Sequence, residues 1–328
     1  MIEALIIVVI QLSGQTASLL GALCGNPYGV GLNLDVFHNL ETIGFNARTK
    51  MVTLFLSGRL NLGKTMQIHN IASEVFDAVR SVKQIAPFSK RGMQFSQSEA
   101  YAVALKVADM QGGEILGRKI GFTNRSIWPI YDVHEPIWAT MTNETIEYTA
   151  AGHAVVSLCK FCEPRIEPEI VIGLSQSPPR RSSLEDIAEC VGWIAPGFEI
   201  VDSIYPNWDF SLSDTIAAGG LHGKLVIGQK LSPPQDLIQH LNDLKVILSL
   251  NDQINDRGQG SNVLGGPISA LQYLQHGLEQ YQKQADLKSG DVVSTGTLTD
   301  AKPISPGQIW RADFEGFESL HLEVELTN

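Results

Sequence analysis

Glu167 and Glu169 are the residues of this sequence whose type and spacing best suit chemistry. They lie in residues 166–174, an otherwise apolar segment that is typical of a β-strand. Side chains two residues apart on a strand project from the same face. Two adjacent anions in a low-dielectric site repel each other strongly unless a proton or a cation lies between them. The pair would suit an oxygen-ligated metal, Mg²⁺ or Mn²⁺ rather than Zn²⁺. Taken alone, the spacing is more typical of a surface strand with alternating acids, so a metal site needs support from other residues.

Two more charged residues and one turn join this pair as candidates. Lys119 lies in an apolar, glycine-flanked segment, and Glu199 lies inside an apolar strand pattern. Gly296 and Thr297 end a small-residue segment whose hydroxyl and N–H groups suit an anion. Each feature also has a structural explanation. A strand-end lysine can extend to solvent, and a glutamate near a turn can accept backbone N–H groups.

The composition excludes several classes of function. Of the 328 residues, 44% are hydrophobic and 18% are charged, which is typical of a globular protein. The formal net charge of −11 argues against binding to nucleic acid and to anionic membrane surfaces. Small anionic substrates stay compatible with this charge, because a bound metal reverses the local sign.

Cys159 and Cys162 form a CxxC motif. A redox or zinc role would need a helix N-terminus or a second pair of ligands, and the sequence offers neither. Because residues 155–161 read as a strand, we predict two buried, reduced thiols. A reducing compartment and a cytoplasmic location follow as expectations.

The first 65 residues differ in character from the rest. Residues 1–34 contain one charged side chain, Glu3, and the apolar run 4–10 is too short to span a bilayer. This run also lacks the basic flank of a secretory signal. Met66 opens a more regular pattern and is a candidate functional start. We predict an extension of unknown role in residues 1–65 and the catalytic domain in residues 66–328.

Periodicity and turn residues predict a mixture of helices and strands. One helix begins at Met66 and ends before Pro87, with Val79 and Val82 among its apolar positions at helical spacing. The other predicted helices are 96–110, opened by a Ser96/Glu99 capping box, 182–193, one from Ser232-Pro233 and one from Pro267. The predicted strands are 145–148, 155–161, 166–174, 198–201, 245–250, 291–297, 308–313 and 320–326.

Taken together, these segments resemble the 2-keto-4-pentenoate hydratase branch of the fumarylacetoacetate hydrolase superfamily. The resemblance covers about residues 66–328. The similar segments, in the expected order, are residues 117–124, Trp128-Pro129, residues 133–138, residues 164–169, residues 197–203, residues 208–225, residues 260–267, residues 294–297 and Pro306-Gly307.

The resemblance implies an α+β fold, a mixed coiled β-roll with peripheral helices, assembled into dimers or larger homo-oligomers. It implies metal ligation by Glu167, Glu169 and Glu199 and an active-site role for Lys119. It also implies that a small 2-oxo or 2-hydroxydienoate substrate binds near three residues: Phe122, Gly296 and Thr297. The implied reaction is metal-dependent addition of water to a 2-hydroxy-2,4-dienoate, which gives a 4-hydroxy-2-oxo acid.

Departures from the family pattern leave alternatives open. Ala139 stands where the pattern has glycine, and Glu144 is the nearest acid where an aspartate is expected. The main alternative is decarboxylation of a 2-oxo-dioate such as 4-oxalocrotonate, which relatives carry out with the same metal site. Another is a non-catalytic subunit associated with a pathway enzyme, against which the complete acid and lysine set argues.

Two weaker features complete the analysis. His38 and Glu41 resemble the general-base dyad of the hydrolase branch, which would indicate C–C hydrolysis of an acylpyruvate. They lie far ahead of Lys119, so chance similarity is the preferred interpretation. His222 lies near Gly219-Gly220; a position facing the site is one interpretation, and a structural histidine is the preferred one.

Overall fold

The structure is a computed structural model that describes residues 8–12, 15–19, 45–149, 151–281, 286–317 and 320–328, with side chains from residue 63 onward. The chain divides into two units, Met1–Gly63 and Lys64–Asn328. The dyad predicted at His38 and Glu41 lies outside the described residues. The roles assigned to residues 1–65 and 66–328 stay predictions.

Helices and strands alternate along the chain. The helices are α1 (Phe45–Ser81), α2 (Gln97–Gln111), α3 (Trp128–Tyr131), α4 (Leu184–Glu189), α5 (Leu212–Ala217), α6 (Leu237–Asp243) and α7 (Pro267–Gln280). The strands are β1 (Val8–Leu12), β2 (Gln15–Leu19), β3 (Ile115–Gly121), β4 (Ile137–Thr142), β5 (Ile146–Tyr148), β6 (His153–Ser157), β7 (Pro164–Leu174), β8 (Val191–Asp202), β9 (His222–Ile227), β10 (Lys245–Leu250), β11 (Gln253–Gln259), β12 (Val292–Thr297), β13 (Lys302–Pro303), β14 (Ile309–Glu315) and β15 (His321–Thr327).

The second unit contains two mixed β-sheets. The larger has the order β4-β3-β12-β7-β8-β9-β5, with β13 paired to β7. The smaller has the order β11-β10-β14-β15-β6. The pairs β3/β12, β5/β9 and β6/β15 are parallel, and the other pairs in these sheets are antiparallel. Curled mixed sheets with helices around them confirm the α+β prediction.

The two faces of the larger sheet bury different side chains. On β7, Ile170 and Ile172 enter the main hydrophobic core. Glu167, Glu169 and Val171 alternate with them and therefore project from the opposite face. A smaller apolar cluster contains Met141, Val171, Ala195, Leu225, Ile227 and Val292. Because Val171 projects from the same face of β7 as the glutamates, this face is polar at Glu167 and Glu169 and apolar beyond them.

Helix α1 departs from its predicted bounds at both ends. It begins at Phe45 rather than Met66 and ends at Ser81, well before Pro87. Val82 adopts a left-handed conformation with φ of 51°, and the Lys83 N–H donates to Ala78 O. This backbone cap ends the helix. Val79 and Val82, the last apolar positions at helical spacing, are each 37% exposed.

Other boundaries follow local signals to different degrees. The predicted capping box opens α2, where Ser96 and Glu99 bond reciprocally. The helix opened by Pro267 and strand β10 also lie where predicted. Helix α4 ends at Glu189 rather than near Trp193, because Trp193 belongs to β8 and packs over Gly173 of β7. The helix predicted from Pro233 begins only at Leu237.

The CxxC segment lies in a turn rather than in a strand. Strand β6 ends at Ser157, and the Phe161 N–H donates to Leu158 O. Cys159 is exposed and Cys162 is half-buried, so the prediction of two buried thiols is wrong for Cys159. Burial raises the pKa of the Cys162 thiol to about 11.

None of the helices in the described ranges combines the length and apolar character needed to cross a bilayer.

Candidate metal centre

Backbone register brings the three predicted metal ligands together. In the antiparallel pair β7/β8, Glu167 lies opposite Glu199, and Glu169 lies opposite Gly197. One carboxylate oxygen from each of Glu167, Glu169 and Glu199 lies within 4.8 Å of the others. Residues that are far apart in sequence thus form one cluster because three positions share a sheet face.

Glu169 is fully buried and is fixed by the end of β12. Its Oε2 accepts hydrogen bonds from the Gly296 N–H, at 2.9 Å, and from the Ser294 hydroxyl. Its Oε1 has no hydrogen-bond partner among the described residues. A buried oxygen without a partner is unfavourable in a folded protein unless another group binds it. This oxygen is therefore available to a cation.

Glu199 is also fully buried and faces two basic groups. Its Oε1 lies 2.7 Å from His222 Nδ1, and its Oε2 lies 3.3 Å from Lys119 Nζ. The second contact is an ion pair without hydrogen-bond geometry. Although burial raises the pKa of Glu199, the Lys119 charge and the His222 hydrogen bond outweigh it, and the net pKa is below the usual value. Glu199 is therefore ionised.

The other two glutamates have raised pKa values. Burial, with the nearby charge of Glu199, raises the pKa of Glu167 to about 7, against an opposing effect of Lys119. Burial and the charges of Glu199 and Glu167 raise the pKa of Glu169 well above its ordinary value. Without a cation the cluster therefore retains protons that its residue types would normally release.

Lys119 lies on β3, between Ala139 of β4 and Ser294 of β12. It is 3% exposed. Burial alone would lower its pKa, but three carboxylates, led by Glu199, outweigh that effect and raise it. The Lys119 side chain therefore stays an ammonium ion at neutral pH. Ala139, where the family pattern has glycine, lies beside this lysine.

His222 contacts the cluster, whereas sequence reasoning preferred a structural role for it. Its Nδ1 faces Glu199, and its Nε2 lies 2.9 Å from the Thr145 hydroxyl oxygen. An ionised carboxylate only accepts hydrogen bonds, so Nδ1 carries the proton toward Glu199. The sequence signal was weak, because a single histidine after two glycines has no spacing that relates it to a glutamate 23 residues earlier.

The donor set fits a hard divalent cation. Three carboxylates converge, two of them are fully buried, and the unbonded Glu169 Oε1 supplies a ligand atom without a competing partner. Among the acids, histidines and cysteines of the described residues, these three glutamates are the group whose ligand atoms lie close enough together to hold a metal ion. Carboxylate oxygens are the ligands of Mg²⁺ and Mn²⁺. Glu167, Glu169 and Glu199 would hold the ion.

A cavity of about 500 Å³ opens above the cluster, and Lys119 and Glu167 line it. Its aromatic wall contains Phe122, Tyr131, Trp208 and Phe210. The Tyr131 and Phe210 rings stack with centroids 5.4 Å apart. Glu144 is exposed and does not line the cavity, so it does not supply the extra acid that the family pattern suggested.

The predicted substrate-binding residues have different positions. Phe122 and Thr297 line the cavity. The Thr297 hydroxyl donates to Thr299 O at 2.9 Å. Gly296 does not line the cavity but holds Glu169 through its N–H. It has φ of 103°, and a Cβ there would overlap the Thr123 side chain, so the turn requires glycine.

Similar proteins are hydratases and decarboxylases by name. The chain is 27% identical over 260 residues to 2-hydroxyhexa-2,4-dienoate hydratase from Comamonas testosteroni, covering 78% of this chain and 97% of that protein. It is 27% identical over 257 residues to 4-oxalocrotonate decarboxylase from Pseudomonas sp., covering 78% and 97%.

The fold and the family agree with these similarities. The solved structure of 4-oxalocrotonate decarboxylase from Pseudomonas putida G7, complexed with magnesium and adipate, matches with a TM-score of 0.73 at 22% identity. The match covers 80% of this chain and 98% of that chain, which shows a shared fold. The family defined by the fumarylacetoacetate hydrolase C-terminal region matches residues 131–325, more than half of the chain. The chain therefore belongs to the fumarylacetoacetate hydrolase family.

Proposed function

We propose that this protein is a metal-dependent hydro-lyase that adds water to a 2-hydroxy-2,4-dienoate and forms a 4-hydroxy-2-oxo acid. One observation carries the proposal: three carboxylates within 4.8 Å of one another lie beside a buried lysine, beneath a cavity of about 500 Å³. The names of the hydratase relatives support the substrate class. The solved relative's magnesium supports a divalent ion, Mg²⁺ or Mn²⁺, as the cofactor.

In the proposed reaction the proton of the C2 hydroxyl is lost and C5 gains a proton, which gives a 2-oxo-3-enoate. Water then adds across C3 and C4, with hydroxyl on C4 and hydrogen on C3. When bound, the metal would supply Lewis acidity toward the C1 carboxylate and the C2 oxygen. Glu167, Glu169 and Glu199 would hold it, and the Gly296 N–H fixes the Glu169 carboxylate.

Lys119 provides a fixed positive charge at the cavity floor. Its ammonium ion would stabilise negative charge as it develops on the C2 oxygen, and its N–H groups could return a proton to the substrate carbon chain. Phe122 and the other rings of the cavity wall would pack against the flat dienoate. Thr297 would lie at the C1 end, next to Glu169 in the strand register.

Decarboxylation of a 2-oxo-dioate is the second candidate, because a decarboxylase relative has the same 27% identity as a hydratase relative. The metal cluster and Lys119 would serve both reactions. A silent partner subunit is a weaker alternative, since the buried ionisable side chains Lys119, Glu169 and Glu199 destabilise a protein that makes no use of them. Assembly as a homo-oligomer, association with a pathway enzyme and a cytoplasmic location stay predictions.

The decisive experiment uses the full-length chain stripped of metal. It is incubated with 2-hydroxypenta-2,4-dienoate, with and without Mg²⁺ or Mn²⁺, while the dienol absorbance and the products are followed. We expect metal-dependent formation of 4-hydroxy-2-oxopentanoate that is lost in Glu169→Ala. Turnover of 4-oxalocrotonate with release of CO₂, but none of the dienoate, would replace the hydratase proposal with the decarboxylase one. Cleavage of an acylpyruvate instead would favour the hydrolase alternative.

A further inference from the structure

We propose that Cys159 and Cys162 form a site of reversible thiol modification. A small disulfide, glutathione disulfide, oxidises the pair to an intramolecular disulfide, and this bond loosens the adjoining wall of the cavity. The CxxC motif is a chemical feature of the sequence that the proposed function does not use. The site involves two thiols and one segment of the wall, so it is independent of which reaction the protein catalyses.

The two thiols lie on one bend of the chain between β6 and β7. The bend is closed by the hydrogen bond from the Phe161 N–H to Leu158 O, at 3.1 Å. Cys159 lies inside this turn, and Cys162 follows it directly. Residues three apart come within about 7 Å of each other where the chain turns, and a disulfide needs Cα atoms about 4.4–6.8 Å apart. The position of the pair on a bend therefore suits a disulfide.

The two thiols differ in their access to solvent, which sets the order in which they react. Cys159 is exposed, whereas Cys162 is half-buried and packs against the main core. Burial, with the charges of Asp202 and Glu163, raises the pKa of Cys162 to about 11. Because the thiolate is the attacking form, Cys159 is the thiol that reacts first with a dissolved disulfide. Since the turn opens a strand rather than a helix, it suits slow modification rather than redox catalysis.

The chemistry is thiol–disulfide exchange in two steps. The Cys159 thiolate attacks one sulfur of glutathione disulfide, and one glutathione leaves as a thiolate. The Cys162 thiol then gives its proton to solvent, and its sulfur attacks the Cys159 sulfur and releases the second glutathione. The protein loses two hydrogens and two electrons, and the glutathione disulfide is reduced to two thiols. An excess of reduced glutathione reverses both steps.

Glu163 connects this bend to the cavity wall. The N–H groups of Cys162 and Glu163 both donate to Asp202, at 2.9 Å and 2.7 Å. Glu163 O accepts from Trp208 Nε1–H at 3.1 Å, and Glu163 Oε2 accepts from the Asn207 N–H at 2.9 Å. Trp208 lines the cavity. A shift of the backbone at Cys162 therefore reaches the wall through one residue.

The part of the wall that is held in this way is strained. Asn207 and Trp208 have φ of 60° and 56°, in the left-handed region that residues other than glycine rarely occupy. Such a backbone persists only where its surroundings hold it. A bond between the exposed Cys159 sulfur and a sulfur packed against the core draws the Cys162 backbone away from Asp202. The strained pair then loses its fixed neighbour, so oxidation loosens the wall.

Redox titration of the full-length chain tests the chemistry. The protein is equilibrated with mixtures of oxidised and reduced glutathione, its free thiols are alkylated, and its peptides are mapped by mass spectrometry. We expect a disulfide between Cys159 and Cys162 that reduced glutathione reverses. Cys162→Ser should stop at a mixed disulfide between Cys159 and glutathione. Cys159→Ser should leave Cys162 unmodified under the same conditions.

The other two cysteines of the sequence are the controls. Cys190 is buried and should be alkylated only after unfolding. Cys24 lies outside the described residues, and Cys24→Ser should leave the bond between Cys159 and Cys162 unchanged. A disulfide to Cys24 or Cys190 instead would overturn the proposal. Alkylation of both turn thiols even in fully oxidised glutathione would overturn it as well.

Hydrogen exchange measures the effect on the cavity wall. We expect amide exchange in residues 203–212 to be about threefold or more faster in the oxidised protein, as for local opening. Glu163→Ala should speed exchange there without oxidation, and Cys162→Ser should abolish the response to the oxidant. Helix α7 is the internal reference and should not respond. Unchanged exchange in residues 203–212 after the disulfide has formed would overturn the coupling between the turn and the wall.

Discussion

Glu199 contacts two basic side chains, Lys119 and His222, through interactions of different kinds. Lys119 contributes charge at 3.3 Å, and His222 contributes a directed hydrogen bond at 2.7 Å. Together they keep the pKa of Glu199 below its ordinary value, while the pKa values of Glu167 and Glu169 are raised. A metal ion bound by these carboxylates would compete with protons for Glu167 and Glu169.

Replacing Glu169 by glutamine separates metal binding from folding. We expect Glu169→Gln to weaken Mn²⁺ binding by more than about 100-fold, because loss of a ligand exceeds the effect of losing an outer-shell partner. The metal-free variant should keep its stability, since burial raises the pKa of Glu169 well above its ordinary value and the amide has nearly the same shape as the protonated acid. Calorimetric titration with Mn²⁺ and urea unfolding measure the two effects. Unchanged Mn²⁺ affinity would contradict the ligand assignment.

His222 should act on the metal through Glu199. Outer-shell partners of metal ligands typically contribute 10- to 100-fold in affinity, and we expect a loss of that size in His222→Ala. Thr145→Val keeps the imidazole but removes its second partner, so its effect should be smaller. Electron paramagnetic resonance of Mn²⁺ gives the free ion concentration in each case. Wild-type affinity in His222→Ala would restore the purely structural interpretation.

At the element scale, the turn that ends β12 positions the cluster. The register of β12 with β7 shifts between Ser294 and Thr297, and this irregularity lets Ser294 and Gly296 both bond to Glu169. The turn depends on the positive φ of Gly296 and on close contact with Thr123. The metal centre is thus sensitive to backbone geometry as well as to its side chains.

Gly296→Ala tests this dependence. We expect a loss of about 1–3 kcal/mol in unfolding free energy, because alanine at this φ is strained and its methyl group meets Thr123. Metal affinity should fall too, as the N–H moves away from Glu169. Gly316→Ala is the matched control, with φ of 94° and no neighbouring atom within 4 Å. Equal losses in both variants would show that φ alone, rather than the turn, matters.

Sequence reasoning succeeded where a single element defined the signal. An acid in an apolar strand stands out, so Glu167, Glu169 and Glu199 were identifiable, as was the Ser96 cap of α2. It failed where the residue type carried no signal for the backbone conformation. The end of α1 depends on a backbone cap at Val82, for which valine gives no warning. The β-roll was predicted from the family resemblance, because periodicity does not reveal the order of the strands in a sheet.

At the scale of the whole molecule, the cluster makes stability depend on pH. The pKa of Glu167 is about 7 in the folded metal-free protein, above its ordinary 4.5. The folded state therefore binds this proton more tightly than the unfolded state does. The contribution is present below the ordinary pKa and is lost as pH rises through about 7. Glu169 acts in the same direction.

We therefore expect the metal-free protein to lose stability between about pH 5 and pH 8, and added Mg²⁺ to stabilise it more at the higher pH. Calorimetric unfolding across this range, with and without Mg²⁺, measures both trends. Glu167→Gln removes one titrating group and should flatten the metal-free curve. A metal-free Tm that rises across the same range in the wild type would refute the assignment of raised carboxyl pKa values.

The alternation of β7 has a consequence for how such a protein can evolve. A one-residue insertion in this strand would turn Glu167 and Glu169 toward the main core and isoleucines toward the cavity, so the two carboxylates cannot change position without loss of the fold. Much of the opposite wall comes from the short helix α3 and from segments that connect the strands, including Tyr131, Trp208 and Phe210. Those segments tolerate replacement. New substrates can therefore be acquired by changing the wall, while the reactive end of the cavity is inherited intact.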